Sequence, residues 1–314
     1  MVNVIAELCQ NHNGDLKILD EMVAAAAEAK ADYVKIQSLR SSDLTFRKRF
    51  ENGLIEGGRI RVIKRPYKTE YNRLKKLDLS DKQHYHFIES CKKYKIKPMS
   101  SIFSINRLNF LNKLKKIDTL KVPSFDCASF KMIEKLSKTN KKIIISTGGT
   151  YDREIEKTAN IFKKNKKIFT YLHCISIYPT PLNEANLLRI NFLKKFTNSV
   201  GISDHSDPDK NSHKLSIAAV YLGAKTIERH FTILKKDKTR DGVVSVNYNQ
   251  LKSLCSLAKS HKNNIKEYIK KEVPEFKIML GKEHRELSES ELLNRDYYQG
   301  RFSSKEKNKI IYNW

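Results

Sequence analysis

The chain has 314 residues, enough for one large α/β barrel or two average domains. Its 61 basic against 35 acidic residues leave a net charge of +26, but the lysines lie in short scattered runs such as 163–167 and 233–238. That dispersion suits a solvated surface with a residual pull on anionic substrates, and no nucleic-acid role is expected. Five cysteines (Cys9, Cys91, Cys127, Cys174 and Cys255) without CxxC spacing suggest neither a disulfide framework nor a zinc knuckle. With no basic leader and no run of ~18 apolar residues, a cytoplasmic protein without a membrane partner is expected.

In chain order, strand-like runs fall at 2–9, 33–39, 97–103, 119–124, 142–148, 168–176, 199–206 and 226–233. Amphipathic helical runs fall at 18–31, 81–94, 105–115, 129–138, 151–164, 183–196, 211–224 and 247–260. This rhythm predicts an α/β protein, a parallel (β/α)8 TIM barrel over residues 1–265, with a doubly wound sheet as the alternative. Residues 41–79 read as a long basic insertion between the second strand and its helix, a lid expected to be mobile over an empty site. Residues 266–314 read as a charged, helical C-terminal extension.

In such a barrel the reactive face lies at the C-terminal ends of the strands. Those ends carry Glu7, Lys35 with Gln37, Ser100 with Ser101, Lys121 with Ser124, Ser146 with Thr147, His173 with Ser176, Ser203 with Asp204 and His205, and Glu228 with His230. In the last strand, TIERHF (226–231), the two-residue period puts Glu228 and His230 on one face and Ile227 and Phe231 on the other. Lys35 and Lys121, with the hydroxyls of Ser101, Ser124, Ser146 and Ser203, supply donors for a phosphate and a carboxylate. The absence of a P-loop or GxGxxG favours a small phosphorylated acid over a nucleotide. His205 and His230 end neighbouring strands, where two imidazoles can hold one divalent cation and leave positions open for substrate, with Glu7 or Glu228 reaching it through water.

The segments AELCQNHNGD (6–15), VKIQSLRSSDL (34–44), KVPSFD (121–126), IISTGGT (144–150), LHCISIYPTP (172–181), VGISDHS (200–206) and IERHFT (227–232) resemble the sialic acid synthase family, in order, over about residues 3–260. The resemblance implies condensation of phosphoenolpyruvate with N-acetylmannosamine or a related amino sugar, releasing phosphate and a nonulosonate. It further implies a Mn2+ cofactor, or another divalent cation such as Mg2+ or Co2+, held by His205 and His230. By the same resemblance Lys35, Lys121, Ser124, Ser146 and Ser203 would contact phosphoenolpyruvate; Ser101 and Ser176, from the rim itself, are further substrate-binding candidates. Glu7, Gln37, Tyr178 and Asp241 would surround the sugar and the reacting carbons, and Glu7, Asp126 or Asp241 would deprotonate the attacking water.

The chain departs from the family pattern at Ser176, where Asn is usual, at Phe125 and Asp126, in place of Gly and Glu, and at TRD (239–241), in place of GPD. Family members also append an antifreeze-like domain that reaches over a partner's site with an arginine, which implies a homodimer. Residues 266–314 are too short for that domain and read as a truncated remnant of it, with Arg295 or Arg301 marking the stump. A related synthase using another aldose or aldose phosphate, or a degenerate sugar-binding homologue, is the alternative.

Overall fold

The structure, a computed structural model, describes residues 2–306 and 309–313; positions 1, 307, 308 and 314 of the expected domain and tail lie outside the described residues. Eight strands form the barrel: β1 (Asn3–Cys9), β2 (Tyr33–Ser38), β3 (Lys97–Ile102), β4 (Thr119–Val122), β5 (Lys142–Ser146), β6 (Phe169–Cys174), β7 (Val200–Asp204) and β8 (Thr226–His230). They pair in parallel in sequence order, and β1 closes the ring against β8 with Glu7 opposite His230. Every strand lies inside one of the runs the sequence predicts, and the barrel is the expected (β/α)8 fold.

The strands are buried on both faces, as a barrel inside a ring of helices requires. Ile5, Tyr33, Met99, Ile144 and Leu172 fill the lower interior, while the outward side chains of the strands join the large apolar core beneath the helices. At Gly201 on β7 an added Cβ would stand 2.2 Å from the Thr226 carbonyl oxygen and 2.7 Å from Leu172 Cδ2, so only glycine lets β7 and β8 approach here. Local signals start the helices: Asp15 accepts from the Lys17 and Ile18 amides, and Ser80 with Gln83 forms a capping box at helix Asp81–Lys93.

Two expected long helices are broken. The 183–196 run is a 3-10 turn, Leu182–Glu184, followed by helix Arg189–Lys194, and the 211–224 run is helix Pro208–Asn211 followed by helix Lys214–Tyr221. Pro208 occupies a first-turn position behind the Asp207 cap, and Ser212 adopts φ 47°, which stops that helix.

The insertion and the tail meet each other. Residues 41–79 contain helix Arg49–Asn52, the hairpin Leu54–Glu56 with Arg59–Val62, and helix Tyr67–Lys75. The tail forms helix Glu289–Tyr298, capped by Ser288 with Glu291, and the antiparallel hairpin Ser303–Glu306 with Lys309–Tyr312. Arg47 donates to the carbonyls of Tyr297 and Gln299, the Thr45 amide donates to the Arg301 carbonyl, and Phe50 packs edge-on against Tyr297 at 5.2 Å. The tail also reaches the barrel, where Ser304 accepts from the Ile105 amide. The rim is therefore partly roofed by the insertion and the tail together.

Candidate active site

A cavity of about 470 Å³ opens at the C-terminal ends of the strands. Glu7, Gln37, Ser101, Lys121, Ser124, Asp126, Ser176, Tyr178, His205, His230 and Asp241, all expected from the sequence, line it together with Glu228. Lys35, Ser146 and Ser203 stand behind this wall, buried. Four residues of the expected rim face elsewhere, among them Thr147, whose hydroxyl donates to the Leu172 carbonyl. His173 turns outward and its Nε2 meets the Ala185 carbonyl at 2.6 Å, Asp204 pairs with Arg229 on the outer face, and Ser100 donates to the Ser101 carbonyl. The reason is the two-residue period: Leu172, Cys174, Ser203 and His205 take the inward positions of β6 and β7 and their ends.

The electrostatic centre is a lattice of alternating charge. Lys121 Nζ lies 2.7 Å from Glu228 Oε1, which also accepts from Ser203 Oγ at 2.9 Å. Lys35 donates to Ser101 Oγ at 2.8 Å, lies 3.4 Å from Glu228 Oε2 and pairs with Glu7. Burial alone would raise Glu228, but Lys121 and Lys35 outweigh it and hold the carboxylate well below its ordinary range. Burial pulls Lys35 down to about 7 against the attraction of Glu228. Burial likewise pushes Asp126 up to about 7, against hydrogen bonds from Ser129 and Asn313.

Beside the lysines is a small cradle. An added Cβ at Gly148 would fall 2.3 Å from Ser176 Oγ, 2.9 Å from Cys174 Sγ and 3.1 Å from Ser124 Oγ, so the bare backbone is what brings these groups together. The hydroxyls of Ser146, at the end of β5, and Ser176, just past β6, are buried without a hydrogen-bond partner and so are unspent donors.

The histidines form the other half. Their ring centroids are 5.1 Å apart, and burial lowers His205 to about 4 and His230 well below its ordinary value, so both are neutral imidazoles able to offer a lone pair. His205 Nδ1 faces the Ile175 carbonyl at 3.3 Å, which fixes the tautomer and turns Nε2 toward the Tyr178 hydroxyl, 3.0 Å away. His230 Nδ1 has no hydrogen-bond partner, and Asp241 Oδ2 lies 3.8 Å from it. Two neutral imidazoles, one of them with an orphaned buried nitrogen beside a carboxylate, are a donor set that fits a divalent cation.

The departures from the family pattern cluster where the tail lands. Phe125 stacks on Tyr298 at 4.8 Å and 7°, Asn294 Nδ2 donates to the Ser176 carbonyl at 3.0 Å, and Arg301 lies near Asp126. Sequence reasoning did not single out Gln10, Arg73, Arg240 and Tyr298, which also stand on the cavity wall. Gln10 lies inside AELCQNHNGD and Arg240 inside TRD (239–241), so both were within reach, whereas Arg73 and Tyr298 belong to segments whose position no local pattern reveals.

A sequence profile of the NeuB family matches residues 22–270. The chain belongs to the NeuB family. It is 34% identical over 280 residues to an N,N'-diacetyllegionaminic acid synthase of Campylobacter jejuni, spanning 85% of this chain and 78% of that protein. It is 30% identical over 312 residues to a pseudaminic acid synthase of the same species, spanning 97% of this chain and 82% of that one. Among solved structures, the N-acetylneuraminic acid synthetase of Leptospira borgpetersenii, crystallised with citrate, superposes with a TM-score of 0.70 at 28% identity, covering 94% of this chain and 90% of that chain. This NeuB-family protein is thus an enzyme of the sialic acid synthase type.

Proposed function

We propose that the enzyme condenses phosphoenolpyruvate with the open-chain form of an N-acetylated amino sugar, N-acetylmannosamine or a related diacetamido deoxyhexose, giving a nonulosonate and phosphate. The observation that carries this reading is the meeting of Lys121, backed by Lys35, with the Ser124 and Ser176 cradle and the His205 and His230 pair around one cavity of about 470 Å³. The reaction needs both halves: cations and hydroxyls for a phosphate and a carboxylate, and an electrophilic centre for an aldehyde oxygen.

In this reading Lys121 and the hydroxyl of Ser124, on the cavity wall, hold phosphoenolpyruvate, and Lys35, Ser146 and Ser203, buried behind that wall, back them, with Ser101 positioning the Lys35 ammonium. Carbon 3 of phosphoenolpyruvate bonds to the aldehyde carbon, whose oxygen becomes a hydroxyl by taking a proton. Water adds to the cationic carbon 2 and gives up one proton; the new hydroxyl then loses its own proton to the departing phosphate as the bond from carbon 2 to the phosphate oxygen breaks, leaving the ketone. Glu7, which accepts from the Cys9 amide at 2.6 Å and pairs with Lys35, is one carboxylate of the cavity wall that can take the water's proton, with Asp126 and Asp241 on the same wall. Gln37, Tyr178 and Asp241 face the sugar. A divalent ion, Mn2+ or in its place Mg2+ or Co2+, held by His205 and His230, supplies a Lewis acid at the aldehyde oxygen when bound.

Arg65, Arg73, Arg240 and Arg301 ring the mouth, with Glu70 paired to two of them, so phosphorylated sugars belong among the acceptors to be tried. Five free, buried cysteines suit a cytoplasmic setting, and no described helix is long and apolar enough to cross a membrane. The expected homodimer is supported by the exposed Leu54, Ile55 and Ile60 of the insertion hairpin, an apolar arm for a second copy; Ile55→Lys should then shift sedimentation toward the monomer.

The test is direct. The protein is incubated with phosphoenolpyruvate, Mn2+ and a panel of neutral and 6-phosphorylated amino sugars, and both phosphate and a 2-keto-3-deoxy acid are measured. Stoichiometric appearance of the two with one sugar class supports the reading. A 2-keto-3-deoxy acid formed only from simple aldose phosphates points to the related synthase, and no turnover on any sugar overturns the enzymatic assignment.

A further inference from the structure

Cys9 is an odd residue for its place. It ends β1 at φ 39°, in the left-handed region that favours glycine, and its side chain is wholly buried. It follows Glu7 by two positions, and Glu7 is in register with His230 on the adjacent strand, so the thiol is delivered to the corner between β1 and β8. There Cys9 Sγ meets Asp241 Oδ2 at 2.9 Å, and Asp241 Oδ2 lies 3.8 Å from His230 Nδ1. A sulfur, a carboxylate oxygen and an imidazole nitrogen from three separate segments thus all lie within 4.8 Å of one another. Among the described residues this is the one such group of three, and His205 is not part of it.

A second observation points to a ligand at this corner. His230 Nδ1 is without a hydrogen-bond partner although the residue is only 7% exposed. Native interiors rarely leave a polar nitrogen so placed unless something binds it. The two-histidine arrangement gives no use to the thiol and leaves Asp241 free to face the sugar.

We propose that Cys9 and Asp241 join His230 as ligands of the divalent ion, a thiolate, imidazole and carboxylate set with His205 beside it. The proposal rests on the metal assignment made under Proposed function and specifies its chemistry. On binding, a sulfur–metal bond forms and the thiol proton leaves to solvent. Thiolate and carboxylate together then balance the dication, leaving no net charge in a buried corner. A sulfur ligand favours borderline ions such as Zn2+, Co2+ or Fe2+ over the hard Mg2+, which takes oxygen ligands.

The test uses the full chain, stripped of metal by a chelator under reducing conditions and titrated with Co2+ while its absorption is followed. Wild type should bind one equivalent and show a thiolate-to-cobalt charge-transfer band in the near ultraviolet. Cys9→Ser and Cys9→Gly should lose the band and bind Co2+ at least about tenfold more weakly. The glycine variant also relieves the backbone at φ 39°, so its loss is not attributable to misfolding. Cys255→Ala, which removes a thiol of the outer helix Tyr248–Ala258, should keep the band. Tight Co2+ binding without the band, or a band and affinity unchanged in Cys9→Gly, overturns this proposal; if that binding is lost in His205→Ala, the two-histidine site stands. Failure of wild type to bind Co2+, Zn2+ or Mn2+ overturns both.

Discussion

Among single residues, the lysines carry the sharpest consequences. Lys121 is at once the proposed partner of phosphoenolpyruvate and the partner of Glu228. Lys121→Ala removes a charge-assisted hydrogen bond of about 1.5–3 kcal/mol, a tenfold to hundredfold rise in the apparent KM for phosphoenolpyruvate with the sugar KM little changed. Steady-state kinetics with each substrate varied in turn reads this, and an unchanged KM for phosphoenolpyruvate would place Lys121 outside its site. Lys35 adds a pH dependence. Burial brings it to about 7, so it carries its proton below that pH and surrenders it above. The apparent KM for phosphoenolpyruvate should therefore climb as pH is raised from about 7 through 9, while Lys35→Met starts high and stays flat across the window. A flat wild-type profile would mean that Lys35 keeps its charge. Much of this was legible in the sequence, because a strand's two-residue period assigns Lys35, Lys121, Glu228 and His230 to the interior without any coordinates. The ion pairs were not, since Lys121 and Glu228 are 107 positions apart and only barrel closure brings them within 2.7 Å.

The eight strand and helix units were readable because each repeats the same switch in apolar period. The tail was not, because its apolar side chains answer to the insertion rather than to the barrel. Tyr297 is 2% exposed and packs with Phe50 and Val62, and Phe302 packs with Leu39, Leu44 and Leu74, partners more than two hundred positions earlier. Nothing in the local pattern of either segment announces that pairing. It also ties the expected lid to the tail through Arg47, Thr45 and Phe50. Tyr297→Ala removes the aromatic at the centre of this contact and should cost about 3–5 kcal/mol of the stability of the docked unit. Limited proteolysis should show cleavage within residues 45–75 accelerating in the variant while the barrel core stays resistant. Equal cleavage in variant and wild type would mean that the insertion holds its place without the tail.

Over the whole molecule, the excess of charge acquires a direction. Of the +26, most sits on dispersed surface lysines that the sequence alone identifies as a solvated coat. The fold adds what composition cannot: Lys121, Arg65, Arg73, Arg240 and Arg301 all line the one cavity where an anion is proposed to react. The carboxylates of Glu7, Asp126, Glu228 and Asp241 share that wall, so five cations stand against four acids, and the positive surplus in a low-dielectric cleft raises the local concentration of a trianionic substrate by roughly tenfold. Salt should erase that gain, because the screening length falls from about 30 Å at 0.01 M to about 3 Å at 1 M. The kcat/KM for phosphoenolpyruvate is therefore expected to drop by at least about tenfold over that range, whereas the KM of a neutral amino sugar should move far less. Potassium chloride titrations at fixed saturating metal measure both. If kcat/KM for phosphoenolpyruvate proved insensitive to salt, the basic surface would be a matter of solubility alone, and substrate capture would rest on Lys35, Lys121 and the serine cradle at contact distance.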